Sequence, residues 1–60
     1  MCLSTVYNEK NELLAKNVAS VTTRDGKLIF TDIMGAVVAV TGTIETIDLM
    51  ENFIHIRQTA

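Results

Sequence analysis

Apolar and polar positions follow one another in short blocks along this chain, and most of the apolar residues are β-branched. Val, Ile and Thr favour strands, because branching at Cβ suits a pleated surface better than a helix. The segment CLSTVY predicts a first strand, and NEKNE a polar turn. LLAKNVASVTT is apolar but interrupted at Lys16-Asn17, which divides it into a short strand and a second strand from Val18. Asp25-Gly26 is the clearest turn signal, since both residues tolerate positive φ and suit a type I′ hairpin. LIFTDI is the returning strand, and Met34-Gly35 breaks the chain again.

AVVAVTG has almost no polar alternation, which predicts a strand buried on both faces. In TIETIDLM, Ile44 and Ile47 fall out of a period of two, which predicts a bulge near Glu45-Thr46. Glu51-Asn52 makes the last turn. In the closing FIHIRQ, Ile54 and Ile56 point one way and Phe53, His55 and Arg57 the other. NEKNELLAKN holds good helix formers, but Leu13-Leu14 followed by Val18 does not extend into a full amphipathic stripe, so a hairpin is preferred there. The expectation is all-β: one domain over residues 1–60, with about seven short strands in a small barrel or a strongly bent antiparallel sheet.

The chain has 60 residues, and a chain this short buries only about 60% of its unfolded surface. Such a marginal core is commonly reinforced by disulfides, a metal or oligomerisation. One cysteine excludes an intrachain disulfide and leaves a metal, a partner subunit, or both. Hydrophobic residues make up 48% and charged ones 20%, too apolar for disorder and consistent with apolar surface left for a partner. No apolar run approaches the ~20 residues of a membrane helix, and no charged segment precedes an apolar one as in a signal peptide. A single free thiol fits a reducing cytoplasm. The net charge of −2 lacks the basic footprint of nucleic-acid binding.

Candidate chemistry is sparse. There is one His, one Cys and no Trp, and the three glycines are scattered rather than gathered into a phosphate loop. No nucleophile, base and orienting group stand at a recognisable spacing, so the expectation is a protein that is not an enzyme. Cys2 has two readings. Taken by itself, a lone cysteine is a small hydrophobe. Its position supplies the other: removal of Met1 would leave Cys2 with a free amine and a thiol on one residue, able to close a five-membered ring on a metal. Thiolate with nitrogen suits borderline-soft metals, and four such donors in a plane favour nickel(II) or copper(II). In a twofold dimer a terminus near the axis becomes two, which supplies the other half of such a site. His55 is the other possible ligand, against its reading as a surface histidine without a role. Asp32, Glu45 and Asp48 are expected to be turn or solvent-face carboxylates, and Met34 and Met50 core fillers.

MCLSTVY, the turn at Asp25-Gly26, LIFTDIMG and GTIETIDLMENFIHI together resemble the CooT family of small nickel-binding proteins. The N-terminal Met-Cys is the most specific of these elements. The resemblance implies a homodimeric, cytoplasmic, Sm- or SH3-like β domain that binds nickel(II) through Cys2. It implies an accessory role as metallochaperone or nickel sensor, with carbon monoxide dehydrogenase or its maturation proteins as partners. The alternative is a non-catalytic Sm-like module that binds RNA or protein. That alternative rests on fold analogy, and the acidic balance of the sequence argues against RNA.

Overall fold

Five strands, not seven, form the protein in the computed structural model, which describes residues 2–59. They are β1 (Ser4–Tyr7), β2 (Leu13–Arg24), β3 (Lys27–Asp32), β4 (Val37–Asp48) and β5 (Phe53–Gln58). Each pairs with the next in antiparallel fashion, and β1 closes the barrel by lying parallel to β5. The class is all-β as the sequence predicts, and the strand count is the correction. β2 and β4 each run 12 residues and span what the sequence pattern divides in two. The break at Lys16-Asn17 is a bend within β2: Asn17 takes φ 55, a value that asparagine tolerates. Below the bend β2 pairs with β1, and from Val18 onward it pairs with β3.

The local turn chemistry behaves as expected. Asp25 and Gly26 have φ of 51 and 76, and Arg24 faces Lys27 across a two-residue hairpin. In β4 the register slips between Ile44 and Thr46, so Glu45 is the extra residue of a bulge. That bulge returns Ile47 to the inner face opposite Ile54. On β5, Ile54 and Ile56 are buried while Arg57 is exposed. The core consists of Val6, Val18, Leu28, Phe30, Ile54 and Ile56. None comes from β4, which corrects the expectation that AVVAVTG is buried on both faces. Its residues alternate between half-buried Val38 and Val40 and exposed Val37, Ala39 and Thr41. The barrel wraps a single interior, and no described residue covers the outer side of the strand.

One polar side chain belongs to the interior. Asn8 is 3% exposed and fully bonded. Its Oδ1 accepts from the backbone N–H groups of Lys10 and Glu12, and its Nδ2 donates to Glu12 Oε1 and Gln58 Oε1. Glu9 adds a second tie by accepting the Gln58 N–H at 3.0 Å, and this bond holds its carboxyl below the usual carboxylate value. Its small contribution is present above that usual value and is lost as pH falls through the lowered one. Asn8→Ala should cost about 2–3 kcal/mol, because two backbone donors and two side-chain acceptors lose their partner together. Urea unfolding measures this, and a loss below about 0.5 kcal/mol would mean that water replaces the amide freely. No helix among the described residues is long and apolar enough to cross a membrane.

Candidate metal centre

Cys2 is a free, exposed thiol two residues before β1. Its location follows from the bend of β2. β1 begins at Ser4, which faces Val18, and beyond that point β2 has a ladder only with β3. The residues preceding β1 therefore meet an unpaired edge of β2. Cys2 shares a depression of about 190 Å³ with Ser4, Ser20 and Val21 on one side and Ile47 and Leu49 on the other. This is an open end of the barrel. Ile47 faces inward opposite buried Ile54, yet it remains 53% exposed, because no described residue covers it at this end.

The second wall of the depression is rigidly built. Asp48 Oδ1 accepts from the N–H groups of Met50 and Glu51 at 3.0 and 2.7 Å. Asn52 takes φ 60, and its carbonyl accepts the Thr5 N–H at 3.0 Å. The turn between β4 and β5 is thereby fixed to the start of β1, close to the cysteine. Asp32 plays the same part in the β3–β4 turn, accepting from the N–H groups of Met34 and Ala36. Glu45 pairs with Arg57 at 3.1 Å on the outer surface. These three carboxylates are turn and solvent-face groups, as their sequence positions predict.

Met34 and Met50 are not core fillers. They are 88% and 90% exposed, because each sits at the tip of a turn that an aspartate closes beneath it. His55 lies on the outer face of β5, half-buried between Tyr7, at 5.6 Å between ring centres, and Phe53, at 5.2 Å. Its neighbour Ile54 lines the Cys2 depression, so His55 points to the opposite side of the strand and does not join Cys2. Among the described residues, no group of three or more His, Cys, Asp or Glu side chains could hold a metal ion. Among the described residues that line the depression, Cys2 alone carries a soft side-chain donor. Met1, whose removal would free the Cys2 amine, lies outside the described residues.

The sequence pattern points to Cys2 but not to its surroundings. Ser20, Ile47 and Leu49 are brought beside it by the bend in β2 and by the bulge in β4. The one available signal is Leu49-Met50, two large apolar residues set between Asp48 and Glu51 in a turn, where polar residues are the rule. In comparison with known families, a family model described as "CO dehydrogenase accessory protein CooT" matches residues 1–57. No curated protein matches the chain.

Proposed function

Because the chain belongs to the CooT family of CO dehydrogenase accessory proteins, we propose that it carries nickel(II) as cargo on Cys2. The proposal makes it a metallochaperone or nickel sensor that acts in the cytoplasm as a homodimer, and not as a catalyst. Its client is carbon monoxide dehydrogenase or a protein of that enzyme's maturation. The observation that carries the reading is the exposure of the chain's one thiol at an open, uncharged rim of the barrel. A cargo ligand must be reachable for loading and for release, and a thiolate is the donor that a borderline-soft ion prefers. The missing donors come from the freed Cys2 amine and from the same pair on a second copy, giving two sulfurs and two nitrogens. Such a set also suits copper(II), which competes on general affinity grounds.

Nickel titration followed by ultraviolet absorption tests this reading. A thiolate-to-nickel charge-transfer band should grow to half an equivalent of metal per chain. Affinity should fall as pH falls, because thiol and amine must lose protons before they bind. Chains with and without Met1, identified by intact mass, should differ, with the trimmed form tighter. Equal affinities would remove the amine from the site. A titration without any charge-transfer band would return the chain to the alternative of a module that binds RNA or protein.

A further inference from the structure

Residues paired across a ladder share a face of the sheet. On β3, Leu28 and Phe30 are buried, so Lys27, Ile29 and Thr31 point outward, together with their partners on β2 and β4. The outer face of these three strands is graded from one end to the other. At the β2–β3 hairpin, Arg24 stands directly opposite Lys27, and both are exposed. In the middle row Ile29 faces Ala39. In the far row Val37, 59% exposed, faces Thr31. The remaining positions are serine or threonine, and no position on the face is acidic.

We propose that this face docks a protein partner through a segment with two carboxylates at one end and apolar side chains about 13 Å along, the length of β3 from Lys27 to Thr31. The inference concerns a surface that needs no metal, so it stands or falls apart from the nickel reading.

The cations carry the argument. Like charges directly opposite each other in a ladder destabilise it, yet Arg24 and Lys27 hold that arrangement at the hairpin. Neither forms an ion pair among the described residues, where Arg57 pairs with Glu45 and Asp25 joins neither cation. Their charge is left for a partner. The rest of the chain sharpens the contrast. Glu9, Glu12, Glu45, Asp48 and Glu51 lie before β2 or from the second half of β4 onward, and Asp32 is committed to two N–H groups of its own turn. A protein with a net charge of −2 thus has one basic side, which orients an acidic partner on approach.

The other half of the face selects among acidic partners. Ile29, Ala39 and Val37 offer apolar contact to a protein side chain, whereas nucleic acid calls for more phosphate contacts and for stacking rings. The aromatic residues Tyr7 and Phe53 belong to β1 and β5 instead. A twofold contact between copies would set Arg24 and Lys27 against themselves. At its far row the face reaches Ser20, which also lines the depression of Cys2, so a docked partner lies beside the exposed thiol.

The test is a titration of the metal-free, full-length, nitrogen-15-labelled protein, followed through its amide spectrum. The probe is a synthetic peptide carrying Leu-Leu and, four residues on, Glu-Glu. The same peptide with Lys-Lys and a decauridylate are the comparisons. The acidic peptide should move the amides of 27–31 and 37–41, and the lysine peptide should bind at least about tenfold more weakly. Arg24→Glu and Lys27→Glu should each weaken the acidic peptide by at least about tenfold, with the loss fading at high salt. Val37→Ser should weaken it at every salt concentration. Lys27→Glu should melt no lower than the parent, because it replaces repulsion across the hairpin with attraction. An acidic peptide that moves no amides of this face at millimolar concentration overturns the proposal. So does equal binding of the lysine peptide, or preferred binding of the decauridylate there.

Discussion

Gly42→Ala should destabilise this protein by about 3 kcal/mol, the upper end of what overpacking costs. A Cβ added at Gly42 would collide with the carbonyl oxygen of Arg57, and it would lie 3.1 Å from both the Arg57 carbonyl carbon and the Gln58 Cα. All three are backbone atoms of β5, so no side chain can swing aside. Gly42 marks the place where β4 exchanges neighbours. Thr41 still faces Lys27 of β3, whereas Gly42 faces Gln58 of β5. The Thr59 N–H also donates to the Thr41 carbonyl there, at 2.9 Å. Parting the two strands breaks the ladder at the point where β4 passes from β3 to β5. A 60-residue domain holds roughly 3–9 kcal/mol in all, so the variant should melt at least about 12 °C lower, and unfold at room temperature if the parent lies at the low end. Gly35→Ala is the control: nothing lies within 4 Å of its added Cβ, and only its φ of +90 is strained. A Gly42→Ala protein melting within about 3 °C of the parent would show that β5 moves away at little cost.

The same glycine shows what the sequence makes legible and what it hides. In AVVAVTG it looks like the end of a strand, because glycine usually interrupts strands. Here it lets one strand pass close to another, a requirement set by residues 15 and 16 positions later, and no local pattern carries it. Asn17 is hidden for a related reason: a polar pair inside an apolar run looks like a turn, yet it bends a strand that continues on the other side. Local chemistry was readable wherever a turn or a slip is decided by two or three adjacent residues. Asp25-Gly26, the bulge at Glu45 and the alternation along β5 are of that kind. Hydrophobicity alone assigns the methionines to the core, whereas aspartates two residues earlier hold Met34 and Met50 at turn tips. Cys2 could be singled out by position and family resemblance, but its neighbours depend on which strands the barrel brings to one end.

Cys2→Ser should lower nickel affinity by more than about a hundredfold while leaving stability within about 0.5 kcal/mol of the parent. The fold should not respond, since Cys2 is exposed, precedes β1 and belongs to no ladder. The metal should, since serine keeps the size of cysteine but its hydroxyl stays protonated near neutral pH and is a poor donor to a borderline-soft ion. His55→Ala should change affinity little, because that ring packs on Tyr7 and Phe53 on the other side of β5. If His55→Ala abolishes binding and Cys2→Ser does not, the site belongs to the outer wall. The serine variant also separates a shared site from two independent ones. Mixed in equal amounts and allowed to exchange subunits, parent and variant should leave only about a quarter of dimers with two thiolates, because copies pair at random about the twofold. A site that needs both sulfurs then loses three quarters of its charge-transfer intensity. Independent thiolate sites would lose half, and that result would end the shared-site reading while keeping Cys2 as the ligand.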